Sequence, residues 1–287
     1  MSANSPLPAP AINDWLLAAT TQLQAVGITS ARLDAEIILA HTIRKGRTYL
    51  HAHSSDPIGL RDQEIADARL QLRLERVPIA YIIGHKEFYG RRLNVTTATL
   101  IPRPESEVMI ELLNDIIPRN KSLLKNMTWH LIDVGSGSGC LGITAKLEFP
   151  ELEVTLADIS VHALKVAADN ATKLHADVQL IHSDLLANYF LQPHIILANL
   201  PYVDSLWERS PETNYEPDIA LFASDEGRAL INKLINQAET SLLPGGYLLL
   251  EADPSQHHKI INYAKKHGLE LIIVKDYIIV LRKIIKN

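Results

Sequence analysis

The chain has 287 residues, of which 47% are hydrophobic and 21% are charged. This length indicates about two domains, and the composition is that of a globular protein, which excludes a disordered or collagen-like chain. No run approaches the roughly 18 consecutive apolar residues of a membrane span, and residues 1–10 lack the basic and apolar segments of a secretory signal. We therefore expect no membrane association and no secretion.

Charge and cysteine content exclude further classes of protein. The net charge of −5 arises entirely beyond residue 76, so neither part of the chain has the basic excess that is typical of nucleic-acid binding. The single cysteine, Cys140, excludes an internal disulfide and a cysteine-based zinc site, and it fits the reducing cytoplasm. His51 and His53 lack a third ligand nearby, so we expect no metal.

Residues 1–78 are predicted to form a small helical domain. Apolar residues recur near the helical period from Ile12 to Val26. Ser30 is a plausible N-cap for a second helix, and a third helix is predicted over Leu60–Glu75, since Pro78 prevents its continuation. Residues 79–103 change to extended segments broken by glycines, which predicts a hairpin linker.

From residue 104 onward, helices and strands alternate. A helix is expected from Pro104 to Ile117, because proline suits a first helical turn. Strands are predicted at 130–134, 153–157, 178–182, 194–199 and 247–252, with helices at 140–148, 160–174, 227–243 and 254–267. Two last strands, at 270–274 and 277–282, have too short a connection to be parallel. The fold class predicted for 104–287 is therefore a Rossmann-like α/β sheet that ends in an antiparallel hairpin.

The strongest local pattern is the glycine-rich stretch from Asp133 to Gly142, between a predicted strand and a predicted helix. Residues 137–142 satisfy the G-x-G-x-x-G pattern of NAD-binding proteins. However, Asp133 precedes the first glycine by two residues, which resembles motif I of S-adenosylmethionine (AdoMet) methyltransferases. An acid here would repel a pyrophosphate but suits an ammonium and a sulfonium. AdoMet is therefore favoured over NAD and over a tight turn without a ligand.

A second motif, Asn199-Leu200-Pro201-Tyr202, follows the fourth strand of the sheet, where ligands meet the carboxyl ends of strands. It resembles the Asn-Pro-Pro-Tyr motif of AdoMet enzymes that methylate planar NH2 groups. The side-chain carbonyl of Asn199 and the backbone carbonyl of Leu200 would accept the two N–H donors of such a group. Pro201 would fix the backbone, and the Tyr202 ring would pack on the acceptor. The alternative is a turn that only ends the strand.

Further stretches support a resemblance over the whole chain. They are Gly-His-Lys-Glu-Phe-Tyr-Gly at 84–90, Leu-Ile-Pro-Arg-Pro-Glu-Ser-Glu at 100–107, Glu-Pro-Asp-Ile-Ala-Leu at 216–221, and Leu-Pro-Gly-Gly at 243–246, which precedes Glu251 and Gln256. With the two motifs above, they resemble the HemK/PrmC family, the protein-(glutamine N5) methyltransferases that act on peptide chain release factors.

The resemblance implies a class I AdoMet-dependent methyltransferase that acts on the glutamine of the Gly-Gly-Gln motif of a release factor and so supports translation termination. Residues 1–78 would dock this protein substrate. The implied catalytic residues are Asn199, Pro201 and Tyr202, and Leu200 joins them in contacting the substrate. The implied cofactor contacts are Asp133, Gly135, Ser136, Gly137, Gly139, Asp158, Asp184 and Asn199, of which Asp158 would accept ribose hydroxyls and Asp184 would contact the adenine.

Two departures from the family pattern keep other hypotheses open. Leu200 stands where the family usually has a second proline, and Asn-Leu-Pro-Tyr is closer to the ribosomal-RNA adenine dimethyltransferases. Residues 222–227 replace the family's Gly-Gly-x-Asp-Gly. An adenine-N6 methyltransferase is therefore a second hypothesis, disfavoured by the acidic balance. A non-catalytic protein that binds AdoMet or NAD is a third, disfavoured by the complete acceptor motif.

Overall fold

The computed structural model describes residues 10–117 and 128–285. The chain divides into two compact units. One unit comprises the chain up to Gly84 together with Pro211–Tyr215, and we call it the helical unit. The other comprises His85–Ser210 and the chain from Glu216 onward, and we call it the sheet unit. None of the helices in the described ranges is long and apolar enough to cross a lipid bilayer.

The helical unit is built around one apolar core. Its helices are α1 (Ile12–Ala25), α2 (Ala31–Thr42), α3 (Arg47–Ala52), α4 (Leu60–Leu74) and α5 (Ile79–Ile83). The core includes the buried side chains of Trp15, Leu23 and Leu39, and the Trp15 indole N–H donates to the Asp67 carboxylate at 2.7 Å. The three helices that apolar periodicity predicts are confirmed, whereas the short helix α3 had no such signal.

Residues 79–83 were predicted to be extended, but they form α5. All five residues are apolar or aromatic, so no periodic pattern of polar residues distinguishes a strand from a buried helical turn here. Pro78, with φ −55°, provides the N-cap, and Gly84 ends the helix in the left-handed region at φ +74°. The predicted hairpin is confined to β1 (His85–Phe88) and β2 (Arg91–Asn94), which pair antiparallel. The boundary between the units therefore falls at Gly84 and not at residue 78.

The short segment Pro211–Tyr215 forms a 3-10 turn that belongs to the helical unit despite its distance in sequence. The buried guanidinium of Arg73 lies 2.7 Å from an Asp34 carboxylate oxygen and 3.0 Å from one of Glu212. Arg76 pairs with the same Glu212 carboxylate at 3.0 Å. Removing one partner of a buried ion pair is strongly destabilising, so this segment is firmly held. No sequence pattern predicted it.

The sheet unit contains a seven-stranded sheet in the order β5-β4-β3-β6-β7-β9-β8. Its strands are β3 (His130–Val134), β4 (Glu153–Asp158), β5 (Gln179–His182), β6 (Ile195–Ala198), β7 (Tyr247–Glu251), β8 (Leu269–Lys275) and β9 (Ile278–Lys283). Strands β3 to β7 are parallel, while β9 runs antiparallel to β7 and to β8. The predicted Rossmann-like sheet with a final hairpin is confirmed. The chain order reverses between β3 and β6, which is where such sheets bind ligands.

Helices cover both faces of this sheet. They are α6 (Glu107–Ile116), preceded by a 3-10 turn at Pro104–Ser106, α7 (Cys140–Glu148), α8 (Val161–Leu174), α9 (Asp218–Leu221), α10 (Ala229–Ser241) and α11 (Pro254–Lys266). Alternate strand residues enter two separate apolar clusters: Ile132 and Leu248 pack under α10 and α11, whereas Leu131 and Leu249 pack under α6, α7 and α8. The helix expected from Pro104 thus begins as a 3-10 turn, and Pro118 lies outside the described residues.

Candidate active site

The glycine-rich loop between β3 and α7 has a backbone that only glycine adopts easily. Gly135 and Gly137 have φ values of +72° and +55°. The N–H groups of Gly135 and Ser136 both donate to the carbonyl of Ala157 in β4, at 2.8 and 3.0 Å. A Cβ on Gly135 would lie 2.9 Å from a methyl carbon of Leu200. The loop is therefore fixed to the neighbouring strand and leaves no room for a side chain at position 135.

Asp133 lies beneath this loop and is 1% exposed. One oxygen of its carboxylate accepts the N–H of Gly142 in α7 at 2.8 Å. Burial raises the pKa of Asp133 to about 7, against the effect of that hydrogen bond, and the charge of Asp158 acts in the same direction as burial. A cationic ligand beside Asp133 would favour the ionised carboxylate and lower this pKa again.

Two further acids lie at the carboxyl ends of the next two strands: Asp158 is the last residue of β4, and Asp184 follows β5. Asp158 accepts the N–H of Gly137 with one oxygen and that of Ser160 with the other, both at 2.8 Å. Each oxygen keeps a lone pair for a ligand hydroxyl, so Asp158 both shapes the loop and stays available. Asp184 is half exposed and pairs with Lys233 at 2.5 Å, and this pair stands at the rim of the site.

A cavity of about 220 Å³ lies at the carboxyl ends of these strands. The predicted site residues that line it are Asp133, Gly135, Ser136, Gly137, Asp158, Asp184, Asn199, Leu200 and Pro201. Gly139 and Tyr202 do not line it. Gly139, with φ +80°, is the N-cap of α7, and a Cβ there would lie 2.7 Å from Ile143. The structure thus brings the residues of both sequence motifs to one cavity, with these two as supports.

The chemistry of the cavity fits AdoMet better than a dinucleotide. The buried hydroxyl of Ser136 has no hydrogen-bond partner within the described residues. Three acids line the cavity, while the single basic residue among its described lining is Arg103, which is paired with Glu216. A pyrophosphate would meet carboxylates with no free cation. An ammonium, a sulfonium and ribose hydroxyls would find acceptors.

Asn199, immediately after β6, belongs to a chain of hydrogen bonds between side chains. Its Nδ2 donates to the hydroxyl oxygen of Ser106 at 2.9 Å. The Ser106 hydroxyl donates to one oxygen of Glu251, and the Tyr202 hydroxyl donates to the other at 3.2 Å. The side-chain oxygen of Asn199 takes no part in this chain, so it is available to accept an N–H group.

Glu251 ends β7 and is 1% exposed. Burial raises the pKa of Glu251, although hydrogen bonds from Ser106, Tyr202 and Asn199 act in the opposite direction. The pKa of Tyr202 is also raised, by burial and by the neighbouring Glu251 charge, so its phenol stays protonated. The Glu251 carboxylate is therefore a buried hydrogen-bond acceptor surrounded by hydroxyl and amide donors.

The backbone of Tyr202 is held separately by α11. The side-chain amide of Gln256 donates to the carbonyls of Tyr202 and Glu226, at 2.8 and 2.7 Å. Gly227, with φ +81°, packs so closely that a Cβ would lie 1.9 Å from the Tyr202 carbonyl oxygen. The altered stretch 222–227 thus keeps its last glycine where contact with the acceptor motif requires it.

The two specific stretches at 100–107 and 216–221 also meet at this cavity. The Glu216 carboxylate accepts the backbone N–H of Ile101 at 3.2 Å and pairs with Arg103. Leu100, Pro102 and Ile219 then form part of the cavity lining. These stretches were recognised by resemblance, and their ion pair explains why both are needed to build one wall.

Sequence reasoning missed several residues that build the site. Ser106 was not singled out, and Glu251 and Gln256 were noted only as matching text. Asn170 of α8 is also buried, and its amide donates to the Ser138 carbonyl of the cofactor loop at 2.9 Å. Polar residues at these separate positions have no local pattern. A polar residue at the end of a buried strand is the signal that could have pointed to Glu251.

Known proteins resemble the chain over most of its length. Residues 14–84 match the PrmC N-terminal domain, and residues 116–211 match the methyltransferase small domain. A release factor glutamine methyltransferase of Koribacter versatilis is 36% identical over 248 residues, which are 82% of this chain and 86% of that protein. The chain belongs to the release factor glutamine methyltransferase family. The predicted HemK/PrmC resemblance is thereby confirmed.

Membership of this family decides between the two cofactors in favour of AdoMet. A family member from Deinococcus radiodurans is 33% identical, over 85% of this chain and 86% of that protein. A bifunctional methyltransferase of Rickettsia prowazekii is 32% identical, over 93% of this chain and 54% of that protein. A methyltransferase structure from Pyrococcus furiosus matches with a TM-score of 0.52 at 17% identity, over 76% of this chain and 98% of that one. This last match confirms the class I methyltransferase fold.

Proposed function

We propose that this chain transfers a methyl group from AdoMet to the side-chain amide nitrogen (N5) of the glutamine in the Gly-Gly-Gln motif of a peptide chain release factor. The observation that carries the proposal is the position of Asn199, which lines the same cavity as the glycine-rich loop while Ser106 engages its N–H group. A free amide oxygen beside the cofactor loop suits an acceptor with N–H donors. The names of the relatives supply the release factor.

The glycine-rich loop and its acids would hold the cofactor. Asp133 would take the ammonium, Asp158 the ribose hydroxyls, and Asp184 the adenine side of the cavity. Once bound, AdoMet supplies an electrophilic methyl group on a sulfonium. Because the loop is already fixed by backbone hydrogen bonds to Ala157 and Asp158, little ordering would remain for the ligand to bring about.

The acceptor motif would orient the glutamine. An amide nitrogen is a poor nucleophile because its lone pair is delocalised. The side-chain oxygen of Asn199 and the backbone carbonyl of Leu200 would accept its two N–H groups and fix the nitrogen in one orientation. Such positioning can contribute about 7–11 kcal/mol. The proton lost from the nitrogen would pass to water, so this scheme needs no side-chain base.

The helical unit would dock the release factor, in the cytoplasm where translation takes place. A glutamine on a loop must be presented by the body of a large partner, and the helical unit supplies a separate folded surface. The match of residues 14–84 to the PrmC N-terminal domain supports this assignment. The net charge of −5 disfavours RNA as the partner.

The proposal is tested by transfer of radiolabel from AdoMet to three purified acceptors. These are a release factor, its Gln-to-Ala variant at the tripeptide motif, and ribosomal RNA. We expect label only on the unaltered release factor, lost in Asn199→Ala and kept in the control Asn262→Ala, whose amide is exposed on α11. Label on RNA instead would favour the adenine-N6 hypothesis that Leu200 raises, and would refute the glutamine assignment.

A further inference from the structure

The buried carboxylate of Glu251 has no role in the scheme above. It is 1% exposed, and no ion pair of the described residues includes it. Burying a charge without a cation costs stability, so a contribution to folding does not account for it. Its partners are the hydroxyls of Ser106 and Tyr202, and the Asn199 amide is also close enough to lower its pKa. These groups connect it to the acceptor motif.

The direction of these hydrogen bonds is determined by the carboxylate. An ionised carboxylate only accepts, so the single hydrogen of the Ser106 hydroxyl must point at Glu251. The lone pairs of that hydroxyl then face Asn199, and only its Nδ2 can supply a hydrogen to them. The side-chain oxygen of Asn199 is thereby turned away from Ser106. In the opposite amide orientation, NH2 would oppose the N–H donors of an acceptor amide.

We propose that Glu251 is a positioning residue which, through Ser106, fixes the amide orientation of Asn199 so that its oxygen receives the N–H group of the acceptor. This inference rests on the proposed function for its acceptor. It assigns Glu251 no contact with the substrate and no proton transfer. The carboxylate acts by being unable to donate.

Protonation of Glu251 should therefore impair the enzyme. A protonated carboxyl can donate to Ser106, which frees the serine hydrogen to bond the Asn199 oxygen and so favours the wrong amide orientation. The groups around Glu251 are Ser106, Tyr202, Asn199, Glu105 and Cys140, with Arg103 and Tyr277 close to Tyr202. Because burial and Glu105 raise the pKa of Glu251, we expect kcat to fall at a pH above the ordinary carboxyl range as the solution is acidified.

The test uses a variant of similar length that removes both acceptor oxygens. Glu251→Met frees the Ser106 hydrogen to bond the Asn199 oxygen, so it should lower kcat about 100-fold, the size expected when an acceptor is misplaced. It should also remove the fall of kcat in acid, which we call the acid limb of the pH profile, because no carboxyl remains there to titrate. Its Kd for AdoMet should stay within about 3-fold. Ser106→Ala should have a similar effect, and the double variant should add little, because both act through one chain.

The control is the same kind of substitution, Glu270→Met, at a glutamate of β8 in the sheet unit that pairs with Arg282. It lacks any link to Asn199 among the described hydrogen bonds, so it should keep kcat and the acid limb. Unchanged kcat in Glu251→Met would overturn the proposal. So would a parallel loss of AdoMet affinity, since the residue would then serve the cofactor site or the fold.

A second readout needs no release factor. In protein labelled with 15N-asparagine, the side-chain amide signal of Asn199 is identified by its loss in Asn199→Ala. We expect this signal to shift with pH in the wild type, at the midpoint of the acid limb, and to stay constant in Glu251→Met. A signal that does not respond to pH would overturn the proposal. A normal response in a protein that methylates no release factor would overturn the proposed function alone.

Discussion

The cavity has two halves that are built in different ways. The cofactor half is the glycine-rich loop with Asp133 and Asp158, and the acceptor half is the motif at 199–202 with the side chains bonded to it. In the cofactor half, carboxylates bond to backbone N–H groups nearby in the chain: Asp133 to Gly142, nine positions on, and Asp158 to Gly137, 21 positions before it. In the acceptor half, side chains bond to one another over 93 and 145 positions. A site made from backbone and local carboxylates leaves a contiguous motif. A site made from distant side chains leaves single residues that no pattern reveals.

The largest loss of activity is expected when one methyl group is added in the acceptor half, at Gly227. In Gly227→Ala the new Cβ would lie 1.9 Å from the Tyr202 carbonyl oxygen, so the acceptor motif must move. We expect kcat to fall by more than about 100-fold, while calorimetry shows AdoMet affinity within a few fold of the wild type.

Gly268→Ala is the matched control for Gly227→Ala. Gly268 has a similar φ of +71°, but no atom lies within 4 Å of the place that a Cβ would take, so the variant carries the backbone strain without the clash. It should lose stability and keep kcat. Equal losses of AdoMet affinity and of kcat in Gly227→Ala would show that the two halves are not independent.

The second-largest effect is expected in the cofactor half, on the affinity of Asp133 for the cationic ligand. With its pKa raised to about 7, Asp133 must lose a proton to bind a cationic ligand in more acidic solution. The affinity for AdoMet should therefore fall by up to about tenfold per pH unit below 7. Asp133→Asn should bind about 10- to 100-fold more weakly at pH 8, with no such pH dependence. Titration calorimetry in buffers of different ionisation enthalpy would measure the released proton.

The same substitution should change stability in the opposite direction. Because the folded-state pKa of Asp133 lies above its unfolded value, its ionisation opposes folding as the pH rises through 7. Asp133→Asn should thus raise the melting temperature of the ligand-free protein at pH 8, since the amide oxygen still accepts from Gly142. A lower melting temperature, or a pH-dependent AdoMet affinity in the variant, would contradict this account.

The smallest expected effect on activity is at Leu200, where the halves touch. Leu200 is 3% exposed, and one of its methyl carbons lies 2.9 Å from the place that a Cβ on Gly135 would take. Leu200→Ala should cost about 3 kcal/mol of unfolding free energy and should weaken AdoMet binding a few fold, because the loop loses its support. Leu248→Ala, in the same buried cluster, should cost similar stability in urea unfolding without that loss of affinity. Equal AdoMet affinity in the two variants would show that Leu200 does not support the loop.

The sequence predicted the elements whose signals are local and repeated. Buried strands of five or six residues such as β3 and β4, and the glycine loop between β3 and α7, could be recognised from apolar runs and glycine spacing. Short elements could not, because the five residues of α5 are too few to show a period. Asn199 was predicted from its motif, whereas Ser106 and Glu251 were missed, since their relation exists only after the sheet has formed.

Because of the segment Pro211–Tyr215, the helical unit is not one continuous stretch of the chain. Since these five residues belong to the helical unit while the chain on both sides belongs to the sheet unit, the backbone passes between the units three times. One proteolytic cut near Gly84 would therefore not separate all of the helical unit from the rest. Exchange of this unit between relatives would require two transplanted stretches, the second of them inside the methyltransferase sequence. The complete helical unit could thus not be added to another protein by simple fusion of one continuous segment.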